Sequence, residues 1–303
     1  MAKKKTSFLT KFGQYSGSLA LRGLIWLALR LPYDTRVRFI GWLVANVLGP
    51  LAGFDKRVRD NLNLTCPDLP KAEVDRLCRA VLNNAGRTVI EFYSGAEFIA
   101  RAKAASISGP GLQALEDARD AGRPIIMVTG HFGNYDVARA HMIARGHTIG
   151  GLYRKMANPY FNTHYVRNLT SIGAPMFEQG RRGMVQFVRY LRGGGTIGIL
   201  TDMHVLDGAD LTFFGHPALT STVTAELALK YNAVLVPVYA IRQPNGLDFE
   251  ITARPAIRHS DPETMTQDIN DDLEDLVRQH MDQWFWIHRR WKPGKSRAQP
   301  RDT

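Results

Sequence analysis

Apolar residues follow two different patterns along the 303-residue chain, and the change falls near residue 70. Upstream, residues 17–32 and 39–54 are almost entirely apolar, but both stretches are shorter than the roughly 20 residues that cross a bilayer comfortably. From Pro70 onwards apolar residues recur three and four positions apart. This spacing predicts a helix that begins at Pro70, which suits a first helical position, and continues into residues 87–96.

Beyond residue 110, short apolar runs alternate with amphipathic segments. Such alternation of strands and helices predicts an α/β fold, with a largely parallel central sheet flanked by helices. The predicted helices cover residues 112–121, 135–145, 183–192, 222–231 and 264–283. The predicted strands cover residues 124–128, 147–153, 196–200, 233–240 and 248–252.

The composition excludes several classes of protein. A hydrophobic share of 45% and a charged share of 22% are ordinary for a globular chain, and exclude a disordered or collagenous one. Two cysteines, Cys66 and Cys78, are too few for a disulfide framework or a four-cysteine zinc site. No cluster has metal-ligand spacing, so neither a metal nor another cofactor is predicted.

Positive charge is concentrated at the start of the chain. Residues 1–60 hold eleven basic and three acidic side chains, a net +8 of the total +11. Trp26, Trp42 and the neighbouring arginines suit a pair of amphipathic helices on an anionic membrane surface, although such helices also cover soluble cores. A nucleic-acid-binding arm would be less apolar, so no nucleic-acid partner is predicted.

These patterns divide the chain into three predicted parts. Residues 1–60 form a basic membrane-associated segment, 61–295 the α/β domain and 296–303 a tail. Whether the first segment spans the membrane or lies on it stays open, because both of its apolar stretches are short and the first contains Arg22 and Arg30.

Candidate chemistry follows the predicted strand 124–128, where the chain continues Gly-His-Phe-Gly-Asn-Tyr-Asp. The carboxyl ends of parallel strands are the usual ligand-binding positions of open α/β sheets. His131, in a loop between Gly130 and Gly133, could fold back towards Asp136 in the first turn of the next helix. The carboxylate would then orient the imidazole as a general base. No motif supplies a nucleophile, so a hydroxyl of the substrate is expected to serve as one.

Four further motifs follow this one in a fixed order. Together the five motifs resemble the bacterial lipid A biosynthesis acyltransferase family, the late acyltransferases of lipopolysaccharide assembly, and the likeness covers about residues 20–293. The further motifs are Leu-Tyr-Arg-Lys-Met-Ala-Asn-Pro (152–159), Leu-Thr-Asp (200–202), Phe-Phe-Gly-His-Pro-Ala (213–218) and Trp-Ile-His-Arg-Arg-Trp-Lys (286–292).

The resemblance implies a layered glycerolipid-acyltransferase-like fold and a reaction. A fatty acyl group would pass from an acyl carrier protein thioester to a hydroxyl of a phosphorylated glycolipid, a lipid A precursor. The reaction would take place at the cytoplasmic face of the inner membrane and needs no cofactor. Coenzyme A as the carrier, and the length of the acyl chain, stay open.

The resemblance also assigns residues. His131 matches the base of the family and Asp136 its orienting acid, although close relatives usually carry Glu there. Arg154 and Asp202 match substrate-site positions, but Met-His follows Asp202 where Gln-Asp is common. Arg289 and Arg290 could bind acceptor phosphates or the acidic carrier protein, or simply form a basic helix end.

Two alternatives are retained. The acceptor could be another glycolipid, such as a mannosylated phosphatidylinositol, in an organism without lipopolysaccharide. Outside the enzymes, the chain could be a non-catalytic basic protein that binds membranes or RNA. RNA binding would call for basic and aromatic residues on one platform, whereas the basic excess here lies among apolar helices.

Overall fold

The computed structural model describes residues 8–292, so Lys3, Lys4, Lys5 and the predicted tail 296–303 lie outside the described residues. The helices are α1 (Phe8–Ala28), α2 (Tyr33–Leu43), α3 (Gly49–Leu51), α4 (Phe54–Thr65), α5 (Lys71–Tyr93), α6 (Ala96–Ala104), α7 (Gly111–Asp120), α8 (Tyr135–Ala144), α9 (Pro159–Ile172), α10 (Arg181–Arg192), α11 (Val223–Tyr231) and α12 (Pro262–Gln279). The strands are β1 (Ser106–Ser108), β2 (Ile125–Thr129), β3 (Ile149–Tyr153), β4 (Met176–Glu178), β5 (Thr196–Leu200), β6 (Ala209–Phe213), β7 (His216–Thr220), β8 (Val234–Arg242) and β9 (Phe249–Ala253).

Seven strands form the central sheet in the order β1-β9-β8-β2-β5-β3-β4. The five strands from β8 to β4 are parallel, and β9 and β1 run in the opposite direction. The predicted mixed α/β fold with a mostly parallel sheet is therefore confirmed. We call the edge formed by the C-terminal ends of the five parallel strands the carboxyl edge.

Strand β2 lies near the middle of the sheet and is buried on both faces. Ile125 and Met127 pack into a first layer with residues of α2, α5, α6, α7 and α8. Ile126 and Val128 point the other way, into a second layer with residues of α10, α11 and α12. Because alternate residues of a strand face opposite sides, this continuous apolar run supports helices on both faces.

Several elements were not predicted. Asn158 caps α9 by accepting hydrogen bonds from the N–H groups of Tyr160 and Phe161, and Pro159 occupies the first helical position. Strand β4 and the separate hairpin of β6 and β7 are short and weakly patterned. The predicted helix 264–283 is too long, since α12 ends at Gln279 and the chain then turns towards the carboxyl edge.

The N-terminal apolar stretches form α1 and α2, and a π-helical turn (Val44–Leu48) joins α2 to α3. α2 is tied to the first layer, since Arg36 is buried and donates to Ser94 Oγ and Glu97 Oε2. Among the described residues no single helix is both long and apolar enough to cross a bilayer. One pair bent by 86°, Tyr33–Leu51 with Phe54–Thr65, meets that test of length and composition together.

Candidate active site

His131 lies in the loop that leaves β2 at the carboxyl edge and enters α8. Gly133, in this loop, has a positive φ of 52°. A Cβ atom on Gly133 would stand 1.9 Å from the carbonyl oxygen of Ala240 on β8. Only glycine allows both this backbone conformation and this close approach. The glycine therefore sets the path of the loop that presents His131.

The imidazole of His131 contacts Asp202, which follows β5. His131 Nδ1 and Asp202 Oδ1 are 2.8 Å apart, and the backbone N–H of His131 donates to Asp202 Oδ2 at 2.8 Å. The Asp202 side chain is fully buried, whereas 26% of the His131 side chain is exposed. One carboxylate thus holds both the ring and the backbone of the histidine, and leaves the other side of the ring accessible.

The segment after α12 closes the site. Trp284 Nε1 donates to Asp202 Oδ2 at 2.9 Å. The N–H of Phe285 donates to the carbonyl oxygen of His131, and the N–H of Gly133 donates to that of Gln283, both at 2.9 Å. These bonds hold the His131 loop against residues 283–285 in the manner of a short antiparallel pair of strands.

The environment of Asp202 keeps its carboxylate ionised. Burial alone raises the pKa of Asp202. The charge of His131, its two hydrogen bonds and the nearby His288 outweigh that effect, so the pKa of Asp202 lies below its ordinary value. An ionised carboxylate at Nδ1 favours the tautomer that carries a proton on that nitrogen.

Aromatic rings surround the accessible side of His131. The ring centroids of Tyr135, Phe285 and His288 lie 5.5, 6.1 and 4.6 Å from that of His131. Burial lowers the pKa of His288 to about 4, so this second imidazole is neutral at neutral pH. Burial also raises the pKa of Tyr135, which keeps the phenol protonated.

Three potential metal ligands meet here, although no spacing in the sequence indicates them. One side-chain ligand atom each from His131, Asp202 and His288 lie within 4.8 Å of one another. Two imidazoles and a carboxylate are a donor set that suits Zn²⁺. The prediction that no metal is needed is untested, but the fold does assemble a set of ligands.

The predicted contact between His131 and Asp136 is not formed in the described residues. Asp136 is buried in the first turn of α8, where its Oδ1 accepts from Arg139 Nη2 at 2.8 Å and Nε at 3.0 Å. Arg139 also donates to the carbonyl oxygens of Leu169 and Gly173, at the end of α9. Because Asp136 lies inside the regular helix, its side chain is engaged with α9 and the partner of His131 is Asp202.

A buried network of hydrogen bonds and ion pairs connects the His131 loop to α5 and β8. Arg242 donates to both carboxylate oxygens of Glu91, which in turn accepts a hydrogen bond from Asn134 Nδ2 at 2.9 Å. Asn134 caps α8 by accepting from the N–H of Asp136. Thr88 Oγ1 donates to the Gly133 carbonyl oxygen at 3.0 Å. Side chains of α5 and β8 thus help to hold the loop in place.

The predicted substrate-binding arginines have different surroundings. Arg154 is exposed just past β3, at the carboxyl edge, and Arg289 is exposed beside His288. Arg290 is fully buried, donates to the Leu219 carbonyl and to Thr220 Oγ1, and has a pKa lowered to about 10 by burial. The structure therefore gives Arg290 a place in the core, not the exposed position that a phosphate contact requires.

Sequence reasoning did not find the positions of Trp284, His288 and Glu91 in the site. Trp284 is buried, and no pattern in the sequence indicates that its N–H donates to Asp202. For Glu91, the only indication in the sequence was its position as a glutamate in an otherwise apolar stretch of α5. The motif at residues 213–218 forms the turn between β6 and β7, and Phe213 and Phe214 are buried there as part of the core.

Fold and site together describe an α/β enzyme with a candidate general base at the carboxyl ends of two parallel strands. Comparison with known proteins places this chain in the bacterial lipid A biosynthesis acyltransferase family, whose model matches residues 1–293. The chain is therefore an acyltransferase and not a non-catalytic binding protein.

Three relatives show the range of the similarity. The chain is 23% identical to a phosphatidylinositol mannoside acyltransferase of Mycobacterium tuberculosis over 292 residues, which are 94% of this chain and 90% of that protein. It is 23% identical to the lipid A biosynthesis lauroyltransferase of Escherichia coli over 276 residues, 89% of each. It is 24% identical to a lipid A biosynthesis acyltransferase of Haemophilus influenzae over 285 residues, 88% of each.

Proposed function

We propose that this acyltransferase moves a fatty acyl group from an acyl carrier protein thioester to a hydroxyl of a phosphorylated glycolipid, a lipid A precursor. The observation that carries the proposal is the pairing of His131 Nδ1 with the buried Asp202 carboxylate at the carboxyl edge. This pairing leaves Nε2 of a partly exposed imidazole free to accept a proton from a hydroxyl.

In the proposed reaction, the oxygen of the acceptor hydroxyl attacks the thioester carbonyl carbon while His131 Nε2 takes the proton of that hydroxyl. Asp202 stays ionised and stabilises the imidazolium that forms. The tetrahedral intermediate then breaks its C–S bond, and the departing thiolate takes the proton from Nε2. The products are an ester and a thiol, so no covalent acyl-enzyme is needed.

The oxyanion of that intermediate needs a donor, and two backbone N–H groups of this loop are already engaged. The N–H of His131 donates to Asp202 and that of Gly133 donates to Gln283. Arg154, exposed at the same edge, is the side chain that we assign to negative charge on the substrate or the oxyanion. Arg289 is assigned to an acceptor phosphate, because it is exposed beside the site.

Membrane attachment belongs to the same proposal. Of the 22 large apolar side chains that are exposed in the described residues, thirteen lie between Phe12 and Leu51. Leu24 is 65% and Leu51 81% exposed, and Arg30 lies over the Trp26 ring at 4.3 Å. A basic, aromatic and apolar surface of this kind suits the headgroup region of an anionic membrane, here the cytoplasmic face of the inner membrane.

The proposed membrane surface is continuous with the site. Asn158, which follows β3 at the carboxyl edge, donates to the Gln14 carbonyl oxygen of α1 at 2.7 Å. The rings of Tyr15 and Tyr160 pack edge to face at 5.4 Å. An acceptor held in the membrane by its acyl chains would therefore present its hydroxyls close to His131.

A mannosylated phosphatidylinositol is the second candidate acceptor. The mycobacterial relative that carries this activity in its name is as similar to the chain as the lauroyltransferase, at 23% identity. Both acceptors are anionic glycolipids with free hydroxyls, so the site chemistry described above is the same for either.

The experiment offers both acceptors to the purified protein in separate vesicles, with a labelled acyl carrier protein thioester as the donor. Mass spectrometry of the lipid products identifies the acceptor. We expect His131→Ala to lower turnover by about 10² to 10⁴, the loss typical of a general base. A folded His131→Ala protein that keeps more than about a tenth of wild-type turnover would remove His131 from the mechanism.

A further inference from the structure

Helix α10 presents an outer face that is basic and apolar. Arg181, Arg182, Arg189 and Arg192 are exposed, and no acidic residue lies in the helix. None of the four guanidinium groups forms an ion pair or a side-chain hydrogen bond within the described part of the chain. We refer to this surface as the α10 face.

Apolar side chains run between these arginines. Val185, one helical turn from both Arg181 and Arg189, is 55% exposed. A shallow groove continues beside it, lined by Met184, Val188 and Tyr231. The face therefore interleaves apolar side chains with cations, and is not a uniformly solvated basic surface.

The structural role of α10 does not explain all four cations. Arg189 and Arg192 lie in its last turn, where the helix dipole favours positive charge. Arg181 and Arg182 lie in the first turn, where the dipole disfavours it. Two adjacent cations at an unfavourable position, neither of them in an ion pair within the described residues, favour an external anionic partner.

The position of the face relates it to the site. α10 leads into β5, so its first turn lies at the carboxyl edge and its last turn at the opposite edge. Gly183 anchors this first turn closely on β4, since a Cβ there would stand 1.9 Å from the Glu178 carbonyl oxygen. Arg181 and Arg182 thus lie at the same edge of the sheet as His131.

The face also lies apart from the surface that we assign to the membrane. α10 packs in the second layer, whereas α2 packs in the first, on the other side of the sheet. This separation favours a soluble partner over a lipid headgroup.

We propose that the α10 face docks an acidic helical protein whose contacting helix has apolar residues between carboxylates. Resting on the proposed function, we identify this partner as the carrier protein that brings the acyl thioester. Bound along α10, the carrier would deliver its thioester over the carboxyl edge while the glycolipid reaches the site from the membrane. Charge complementarity then selects the carrier and raises the rate of its association.

The test is the double variant Arg181→Glu/Arg182→Glu. We expect the KM for the acyl carrier protein thioester to rise at least tenfold, with kcat unchanged. Transfer from acyl-pantetheine, a small uncharged thioester, should keep its wild-type kcat/KM. Because acids are favourable in a first helical turn, the melting temperature should be equal or higher. A merely structural role of these arginines would not produce that combination.

The matched control is Arg79→Glu/Lys103→Glu, which makes the same change in net charge at two exposed cations, one in α5 and one in α6. Binding of the unacylated carrier protein, measured by calorimetry at two salt concentrations, separates docking from turnover. Carrier binding that wild type shows and the α10 variant loses, without transfer to any acceptor, would support the α10 face and refute the proposed reaction.

Three results would overturn the docking proposal. The first is an unchanged KM for the carrier-borne thioester in the α10 variant. The second is an equal loss with acyl-pantetheine, which would place the arginines in the reaction itself. The third is loss of binding to anionic vesicles with carrier binding intact, which would make the face a membrane contact.

Discussion

His131 Nδ1 and Asp202 Oδ1 are 2.8 Å apart although 71 residues separate them in the chain. The register of the sheet explains this closeness. Thr129 of β2 pairs with Leu200 of β5, and each strand reaches its polar residue two positions later. The Thr201 N–H continues the ladder by donating to the Thr129 carbonyl oxygen at 3.1 Å. Two adjacent parallel strands thus place the acid beside the base.

This geometry predicts opposite outcomes for the two aspartates. Asp202→Asn should lower turnover by about 10³ to 10⁴, since it removes the charge at Nδ1 and favours the wrong tautomer. Asp136→Asn should cost much less turnover, but about 3 kcal/mol of stability, because Arg139 loses its buried partner. Initial rates with thermal unfolding followed by circular dichroism measure both. A greater loss of turnover in folded Asp136→Asn would restore the pairing expected from the sequence.

Gly133→Ala should damage fold and site together. The new Cβ would meet the Ala240 carbonyl oxygen at 1.9 Å, and the positive φ adds strain. We expect a loss of about 3 kcal/mol and a large fall in turnover, since displacing the loop moves His131. Gly122→Ala is the control: φ is +63° there too, but no atom lies within 4 Å, so only about 1 kcal/mol is expected. Equal melting temperatures for the two variants would contradict the steric explanation.

Exposed tryptophans provide the test of membrane attachment. Deletion of residues 1–50 would also remove Tyr33, Arg36 and Val37 from the core, and the truncated protein is expected to unfold. Trp26→Glu/Trp42→Glu leaves the core intact and should abolish binding to anionic vesicles, because burial of these rings is lost. Arg79→Gln/Arg123→Gln makes the same change in net charge and should still bind. Co-sedimentation of the tryptophan variant with vesicles would refute the assignment.

Zn²⁺ should inhibit the enzyme reversibly. His131, Asp202 and His288 can close around one ion, which would occupy the imidazole needed for proton transfer. We expect micromolar inhibition that a chelator reverses and a calorimetric stoichiometry of one. His288→Gln should weaken zinc binding at least tenfold. The measurement is the dissociation constant for zinc, not the residual turnover of the variant. Undiminished zinc binding by this variant would exclude the three-ligand site.

Low pH should destabilise the fold, because the buried His147 must be protonated there. Burial lowers the pKa of His147 below its ordinary 6.5, and Arg119 and Arg145 nearby act in the same direction, whereas Glu116 opposes them. The unfolded chain therefore binds the proton more readily, so stability falls as the pH drops below about 6.5. We expect a smaller fall in melting temperature between pH 7 and 5 for His147→Gln than for wild type. An identical fall would mean that His147 does not contribute.

The amino-acid sequence by itself determined five strands of the sheet, several of the helices and one half of the site. Apolar runs and helical spacing depend on neighbours along the chain, so β2, α8, β5 and the glycine-flanked His131 were predictable. The five motifs also identified the acyltransferase family. Short elements such as β4 and the β6–β7 hairpin were missed, because so few residues carry little periodicity.

Only the tertiary structure decided what surrounds His131. Asp202 and Trp284 reach it from β5 and from the segment after α12, and the register of the sheet and the turn at the end of α12 fix that meeting. Asp136, five residues away, was the more obvious candidate, yet the regular geometry of α8 directs it to Arg139. Arg290 matched a binding motif but is buried, because packing and not residue type decides exposure. Pairings across the sheet depend on strand order and register, which local sequence patterns do not specify.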